Sequence, residues 1–381
     1  MSCSGTDDRF VVVRAFLALS VAMGLGRFAF TPILPLMLDG TGLGPEAAAT
    51  LATANYLGYL AGAVAAIAVH RIAQSQLSLR VSLVSLIVTI AAMAVTESEL
   101  AWLVLRFVAG AASAAVFVFT ARVAHQRVRA GGDGVGWVFG GVGGGIVLSA
   151  VAILALGREA DWRVAWLVCA GLAAVLAVAA WSLPGEPRVA ARDAAPAVPA
   201  ARPGRGFGWL TAAYFCEGLG YIISATFLVA AVASTGQAHW LGSAVWIAVG
   251  AAVIPSCVVW NRLARRRSPA VTTTAALVVQ AVAVAVSAAT GSPAVQLVAA
   301  LCFGGTMIAI VMLALGEGAR LAGPRAAAIL TSVYGLGQVI GPVAVAPLLG
   351  GGYSAALAVA AAVLAVGALC MVPVLRAERA R

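Results

Sequence analysis

Charged residues are scarce in this sequence, and lysine is missing altogether. Only 10% of the 381 residues are charged, against roughly 25% in a typical soluble domain, while 62% are apolar and the mean hydropathy is +1.01. This composition excludes a soluble globular protein. The apolar runs are continuous and each is about the 20 residues that a transmembrane helix needs, which also excludes the alternating pattern of a β-barrel. We therefore expect an all-α polytopic membrane protein.

Histidine is rare, and the cysteines are not paired in any metal-binding spacing. None of the six cysteines belongs to a CxxC motif. The three histidines, His70, His125 and His239, lie near the ends of apolar runs. The sequence has no HExxH motif and no recognisable pairing of a nucleophile with a base. We therefore expect no disulfide, no metal and no cofactor, and we do not expect an enzyme.

The apolar runs predict twelve membrane spans in two groups of six. A Pro/Ala/Arg-rich linker without periodicity separates the groups, which gives an N-terminal bundle at 1–183, a cytoplasmic linker at 184–208 and a C-terminal bundle at 209–381. The acidic and basic residues Asp7, Asp8 and Arg14 make the N-terminus a poor signal peptide, so we interpret it as part of a retained first span. The expected spans run approximately over 11–37, 47–69, 81–95, 100–120, 135–156, 164–183, 209–232, 240–260, 270–290, 294–315, 326–349 and 355–375.

The arginines are distributed unevenly between alternate loops. All 24 basic residues are arginine, and 20 of them fall at the termini or in one set of loops, whereas the opposite loops hold only Arg158 and Arg163. The positive-inside rule then places both termini in the cytoplasm, with the protein in the cytoplasmic (inner) membrane. The pI of about 10.1 thus reflects topology, and no nucleic-acid partner is expected. The expected partners are the lipid bilayer, protons and a small-molecule substrate, and we expect a monomer.

Glycines recur between the two groups of spans at a fixed offset of 194 residues. The related pairs are Gly24 with Gly218, Gly26 with Gly220, Gly110 with Gly304, Gly141 with Gly335 and Gly143 with Gly337. Three pairs of spans in one register indicate an internal repeat. Parallel six-span repeats related by an axis along the membrane normal are an architecture of secondary transporters.

Several motifs resemble the major facilitator superfamily. RFVAGAASA at 106–114 resembles the arginine and glycine pattern of its fourth span, and GLGQVIGPV at 335–343 resembles the Gly/Pro-rich pattern of a fifth or eleventh span. More narrowly, GRFAFTPILPLM at 26–37, ANYLGYLAGA at 54–63 and YFCEGLGYIISATFLVA at 214–230 are similar to the YbfB/YjiJ branch. The resemblance covers nearly the whole chain and implies the major facilitator fold. One departure is that the loop between the second and third spans lacks the aspartate of the superfamily's gating signature.

Three charged residues remain inside the predicted hydrocarbon, namely Arg27, Arg106 and Glu217. Each costs about 2.5 to 3.5 kcal/mol on insertion scales, and such residues usually face a cavity or a partner. Counted at 1.5 Å per residue, Arg27 and Glu217 lie at nearly the same depth on spans that the repeat makes equivalent. We therefore predict that these two residues pair across a central cavity. The alternative for each is a structural ion pair or contact with another helix.

The acid and the arginines suggest different roles. Glu217 is the predicted proton-coupling group, because a carboxyl group in an apolar setting binds a proton more readily near working pH. Arg27 is predicted to bind an anionic group of the substrate, since guanidinium binds carboxylate or phosphate bidentately. Arg106 lies about six residues from the outer end of its span, so it either binds substrate or extends towards water.

Small and neutral polar residues complete the predicted site. Neutral hydrogen-bonding side chains in the spans are candidates for substrate binding, although each one alone is more often a packing residue. They are Asn55, Tyr56, Tyr59, Tyr221, Tyr334 and Gln338. Glycines and prolines are expected to serve helix packing and gating, with the helix opening at those that flank Arg27. They are Gly24, Gly26, Pro32, Pro35, Gly110, Gly141, Gly143, Gly335, Gly337, Gly341 and Pro342.

The sequence thus predicts a secondary active transporter that moves a small organic molecule by alternating access. Proton coupling follows from the predicted role of Glu217, and an organic anion as substrate follows from Arg27. The main alternative is proton-driven efflux of drugs or lipophilic metabolites. A channel or scaffold with polar spans is disfavoured by the repeat and by the interrupted first span.

Overall fold

The computed structural model describes residues 4–69, 74–128, 133–157, 161–185, 204, 206–234, 236, 240–323 and 325–379. Nearly all of these residues are helical. The helices are α1 (Ser4–Leu19), α2 (Phe30–Thr41), α3 (Pro45–Ala68), α4 (Gln76–Ala92), α5 (Glu99–Arg127), α6 (Gly134–Leu156), α7 (Trp162–Ala180), α8 (Phe207–Ala233), α9 (Trp240–Arg266), α10 (Pro269–Ala289), α11 (Pro293–Ala322), α12 (Arg325–Val345) and α13 (Tyr353–Arg379). The predicted linker lies largely outside the described residues, as do His70 and His239.

Ten helical segments of the described chain are long and apolar enough to cross a membrane, with α1 and α2 counted as one segment, Asp8–Thr41. The two other expected spans correspond to α3 and to the shorter α4, which has 17 residues. An all-helical membrane protein is therefore confirmed, whereas the count of twelve crossings stays a prediction.

Local signals in the sequence set where several helices begin. The Ser98 hydroxyl accepts a hydrogen bond from the backbone N–H of Ala101 at the start of α5, and the Asp161 carboxylate accepts one from Arg163 at the start of α7. Such caps satisfy backbone donors that have no partner inside the helix. Proline occupies the first turn of α3, α10 and α11, where its missing N–H costs nothing.

Glycine allows very close approach between helix backbones in both halves of the chain. A Cβ atom on Gly110 of α5 would lie 2.0 Å from the carbonyl oxygen of Asn55 on α3, and one on Gly304 of α11 would lie 2.2 Å from that of Val249 on α9. A Cβ atom on Gly145 of α6 would lie 2.2 Å from the carbonyl oxygen of Ser20. These helices therefore pack closer than any side chain permits.

Adding a methyl group at Gly145 is expected to destabilise the protein. Because the added Cβ would collide with backbone atoms of Ser20 and Gly24, Gly145→Ala should lower the free energy of unfolding by about 1 to 3 kcal/mol. Thermal unfolding of the purified protein in detergent measures the effect. The matched control is Gly171→Ala on α7, where nothing lies within 4 Å of the added Cβ. Equal unfolding temperatures for the two variants would contradict the prediction.

The two halves of the described chain pack along two seams that contain glycine, and α2 also contacts α8. In the first, α6 packs against α9, where a Cβ on Gly140 or Gly143 would lie 2.5 Å or 2.4 Å from a carbonyl oxygen of α9. In the second, α12 packs against α3, and Gly335 faces the Leu60 side chain. The predicted packing glycines thus fall into two groups, according to which half of the chain they contact. Gly143 and Gly335 lie at the seams, whereas Gly24, Gly26, Gly110, Gly141, Gly337 and Gly341 pack within one half.

Candidate functional site

The first predicted span changes its helical geometry just before Arg27. Between α1 and α2 the chain forms a π-helical turn, Ser20–Leu25, followed by a turn at 26–29. The N–H of Gly26 donates to the Val21 carbonyl and that of Phe28 donates to the Met23 carbonyl. Each bond reaches five residues back instead of the four of an α-helix, and such π-bulges occur often at functional sites. The interruption occurs at the glycines, whereas the two prolines lie beyond it in α2.

Arg27 reaches from the N-terminal half of the chain to the C-terminal half. Its Nη2 donates a 2.7 Å hydrogen bond to Oε1 of Gln338 on α12, and Nε2 of Gln338 donates to the Tyr221 hydroxyl on α8 at 3.1 Å. The rings of Tyr59 and Tyr56 lie 4.3 Å and 4.9 Å from the guanidinium carbon, at the distance of cation–π contacts. Arg27 is only 2% exposed. We call the Arg27–Gln338 hydrogen bond the latch.

Three tyrosines of the C-terminal half stack beside the latch. The Tyr214 and Tyr334 rings lie 4.5 Å apart at 17°, and the Tyr221 and Tyr334 rings lie 5.7 Å apart at 9°. A further hydrogen bond of 2.8 Å joins the Tyr56 hydroxyl to Thr226 across the halves. Five of the predicted binding residues therefore lie around Arg27. They are Tyr56, Tyr59, Tyr221, Tyr334 and Gln338. All five are buried, so the side chains predicted to line a central cavity are shielded from solvent in this structure.

Asn55 and Arg106 lie beside this cluster. The Asn55 side chain donates to the backbone carbonyl of Arg106 at 2.9 Å and so joins α3 to α5. Arg106 is only 2% exposed, so its predicted alternative of extending towards water is wrong. Its guanidinium lies over the Phe30 ring at 4.6 Å, and Nη2 is 3.5 Å from the carbonyl oxygen of Arg27. The side chain points inward because α5 turns this face towards the interrupted segment.

Arg27 and Arg106 form a concentrated positive charge inside the protein. Among the described residues, neither guanidinium is paired with a carboxylate, and the Nε of each is buried without a hydrogen-bond partner. Burying a charge without a counter-charge is strongly unfavourable. The arrangement can therefore be stabilised by an anion that enters between the two halves.

The predicted pairing of Arg27 with Glu217 is wrong in this structure. Glu217 is fully buried, and its Oε1 accepts a 3.1 Å hydrogen bond from Nε2 of Gln280 on α10. The depths of the two residues said nothing about rotation around each helix axis, and this rotation turns Glu217 towards α10. Oε2 of Glu217 has no hydrogen-bond partner among the described residues. Sequence reasoning missed Gln280, although an amide in the middle of the apolar run VVQAVAV was the available signal.

A second buried acid, Glu317 on α11, has a different environment. Its carboxylate accepts hydrogen bonds from Arg320, one of them a 2.8 Å bond from Nε, and Arg320 also approaches Glu378 on α13. Glu317 therefore has a cation beside it, which offsets the cost of burying its charge. Glu217 has no such cation among the described residues.

An ion-pair clasp joins the two halves at one end of the α6 and α9 seam. Asp133, just before α6, accepts a 2.9 Å hydrogen bond from Nε of Arg262 and also pairs with Arg265 at 3.2 Å. These guanidinium groups hold the pKa of the Asp133 carboxyl below its usual range. Sequence reasoning did not find this clasp, because it looked for the superfamily's gating acid in the other loops. The clasp lies on the predicted cytoplasmic side.

Removing the clasp is expected to loosen the seam. Because Val258 is 3% exposed and packs against Gly136, Val258→Cys in a cysteine-free background should react slowly with maleimide, and Asp133→Asn should raise that rate roughly two- to fivefold. Added salt should act in the same direction. The stabilisation from a carboxyl with a lowered pKa is fully present above the pKa of the unpaired group and is lost as the pH falls through the lowered pKa, so the effect of the clasp should be constant from about pH 5 to 8.

The control for this prediction is Asp161→Asn. Asp161 also pairs with an arginine, Arg163, but both residues lie in the same half of the chain. An equal rise in labelling for Asp161→Asn, or no rise for Asp133→Asn, would contradict the role of the clasp.

The described residues contain no group of three or more His, Cys, Asp or Glu side chains arranged to hold a metal ion. Of the three histidines, the described one, His125, bonds its own helix at the Ala121 carbonyl.

Comparisons with known proteins agree with this architecture. No curated protein sequence matches the chain. Among solved structures, the chain is similar to the crystal structure of a mutant of the nucleoside transporter NupG, with a TM-score of 0.67 over 96% of this chain and 98% of that chain. The sequence identity is only 12%, so this likeness shows the fold alone.

A family model described as "Uncharacterised MFS-type transporter YbfB" matches residues 19–372, which is most of the chain. The match includes both halves, the interrupted segment around Arg27 and the α12 segment that carries Gln338. It confirms the resemblance that the motifs suggested. The chain therefore belongs to the YbfB family of MFS-type membrane transporters.

Proposed function

We propose that this transporter moves a small organic anion by alternating access and couples the movement to protons. The observation that carries the proposal is the pair of buried arginines, Arg27 and Arg106, without a counter-anion in the described part of the chain. A substrate carboxylate or phosphate would bring the missing charge. It would also bind more strongly than a neutral amide, because charge-assisted hydrogen bonds are roughly twice as strong as neutral ones.

The substrate would compete with Gln338 for Arg27. The latch connects α12 to the interrupted segment between α1 and α2, so an anion that takes the Gln338 position would break a link between the halves. Two more links lie close by, the Tyr56–Thr226 hydrogen bond and one from Thr31 to the Ala225 carbonyl at 2.7 Å. Breaking or re-forming such links is how binding would bias the halves to rock against each other.

We also propose that the chain forms twelve spans in two parallel repeats, the architecture that alternating access needs. The contacts of Gly110 with Asn55 and of Gly304 with Val249 connect equivalent helices, and both residues of one pair are offset by 194 from those of the other. Thr31 and Ala225 differ by the same 194 and meet directly, as equivalent positions do near a two-fold axis. The arginine distribution supports an inner-membrane protein with both termini in the cytoplasm, and we propose that it acts as a monomer.

Glu217 is the proposed proton-binding group. It is fully buried and, within the described chain, has one hydrogen bond and no cation. Burial without a cation favours the neutral, protonated carboxyl in this closed conformation. When the halves separate and water reaches the site, the carboxyl can release its proton. Gain and loss of one proton on opposite sides of the membrane would then link transport to the pH gradient.

Efflux of lipophilic drugs is the second candidate, and the tyrosine stack beside the latch is the observation in its favour. Flat aromatic molecules bind well against such rings. However, the uncompensated charge of Arg27 and Arg106 repels lipophilic cations. The organic-anion proposal therefore accounts for more of the site.

A thermal-shift screen of the purified protein against organic acids, nucleosides and lipophilic cations tests the proposed function. A ligand that binds the folded protein raises its apparent stability, by about 2.7 kcal/mol at 100 times its Kd. We expect the stabilising compounds to be acids, and a labelled acid among them should show counterflow in proteoliposomes. Stabilisation confined to cations would favour the efflux candidate. Stabilisation confined to uncharged nucleosides, the compounds after which the similar solved transporter is named, would contradict an anionic substrate.

A further inference from the structure

Two buried oxygen atoms without partners belong to the same pair of side chains. Oε2 of Glu217 and Oε1 of Gln280 are both buried, and neither has a hydrogen-bond partner in the structure, although the other atoms of the two groups bond each other. Both residues are completely buried. Buried polar atoms in proteins are nearly always bonded, so two such exceptions on one pair require an explanation.

One proton would satisfy both atoms. Two acceptor oxygens cannot bond each other, but a protonated Oε2–H can donate to Oε1 of Gln280 while Nε2–H of Gln280 donates to Oε1 of Glu217. The carboxylic acid and the amide would then hold each other through two antiparallel hydrogen bonds. The only covalent change is the O–H bond of the acid, which forms when the proton arrives and breaks when it leaves to water.

We propose that Gln280 is the second half of the proton site, a positioning residue that holds Glu217 in its protonated form while the transporter is closed. The inference rests on the proposed proton coupling, and it adds the residue that would hold the proton-binding carboxyl in place. Because Glu217 lies on α8 and Gln280 on α10, the proton site lies wholly within the C-terminal half. The anion site is separate, since Arg27 and Arg106 come from the N-terminal half.

Among the described groups near Glu217, Gln280 is the one that can take this role. Tyr214 and Cys216 on α8 and Tyr334 on α12 are the other ionisable groups close enough to act on its charge, and Cys370 on α13 faces Cys216. All of these groups are neutral or negative. Within the described chain no arginine pairs with Glu217, so hydrogen bonding with Gln280 is the remaining specific influence on its proton.

Infrared difference spectroscopy of the full-length protein, with pH as the variable, tests the proposal. A protonated carboxyl has a C=O stretching band, and the band missing from Glu217→Gln identifies Glu217. In Gln280→Met, which keeps the length of the side chain without its polar atoms, we expect this band to move to the higher frequency of an acid without hydrogen bonds. Proton-driven uptake should fall by about tenfold, the loss expected for one buried hydrogen-bond partner.

The matched control is Gln296→Met on α11. Gln296 is also buried, but its amide donates to the carbonyls of Ser287 and Thr290, so the Glu217 band should stay in place. A Glu217 band that Gln280→Met leaves unmoved would overturn the role of Gln280 while proton coupling stands. The absence of any Glu217 band in the unmodified protein would show that the residue is never protonated, and it would overturn the coupling as well.

A swapped variant covers the case in which Gln280→Met does not fold. Glu217→Gln combined with Gln280→Glu keeps one acid, one amide and the volume of both side chains, and it moves the proton from α8 to α10. We expect the carboxyl band to keep its hydrogen-bonded frequency and proton-driven uptake to recover above that of Glu217→Gln alone. A carboxyl band at the frequency of a free acid would overturn the pairing.

Discussion

Replacing Glu217 with Gln is expected to abolish uptake of the organic acid driven by a pH gradient, while counterflow of labelled acid continues. An amide has the shape of a protonated carboxyl and fits the same buried position beside Gln280, but it cannot gain or lose a proton. The transporter would still close around its substrate, because the neutral form is the one that burial favours. Both rates can be measured in the same proteoliposomes, with and without an imposed pH gradient.

Glu317→Gln is the matched control for that experiment. Glu317 is as completely buried as Glu217, but Arg320 donates hydrogen bonds to its carboxylate and balances its charge, so we expect it to have no role in proton coupling. This variant should lose stability, since it leaves a cation without its partner, yet keep gradient-driven uptake per folded molecule. Undiminished gradient-driven uptake by Glu217→Gln, or its loss in Glu317→Gln, would refute the assignment.

Replacing Arg27 with Ala is expected to weaken binding of the organic acid by about a hundredfold. The guanidinium is the only group of the latch that carries charge, and truncating one partner of a buried charged contact costs about 2 to 5 kcal/mol, where each 1.4 kcal/mol is tenfold in affinity. Arg27→Lys should lose about tenfold, since it keeps the charge and loses the planar fork. Binding is measured at equilibrium on the purified protein, at a pH where the acid is ionised.

Gln338→Leu tests the charge of Arg27 separately from its hydrogen bond to Gln338. This variant keeps Arg27 and removes the neutral acceptor that competes with the substrate, so affinity should be retained or rise. If Arg27→Ala binds the acid as tightly as the unmodified protein, the anion site does not include Arg27. A fall in affinity for Gln338→Leu as large as that for Arg27→Ala would indicate that the substrate binds the amide and not the guanidinium.

Hydropathy alone located the helices, because the cost of exposing a polar backbone to lipid leaves few other structures. The cluster around Arg27 was also predictable from the sequence. Polar side chains in apolar spans rarely face lipid, so Tyr56, Tyr59, Tyr221 and Gln338 could be expected to gather where the arginine is.

What the sequence did not reveal depends on rotation around helix axes and on loop geometry. Counting residues placed Arg27 and Glu217 at one depth. The rotation of α8 about its axis, however, decides whether Glu217 faces Arg27 or Gln280. In the same way, Asp133 and Arg262 are far apart in sequence and meet only because the α6 and α9 seam brings their ends together. The amide of Gln280 within an apolar run was a local signal, but no local pattern showed which side chain each of these groups would meet.

The latch has a consequence for how the empty protein would return across the membrane. Because Gln338 offers Arg27 a neutral acceptor, the proposed carrier would close around its own charge when empty and return to the other side without cargo. A carboxylate at that position would hold the arginine too firmly for a substrate to displace it, and an apolar residue would leave the empty protein stalled in an open state. A glutamine lies between these extremes. It would suit the proposed carrier if net transport, and not one-for-one exchange, is its working mode.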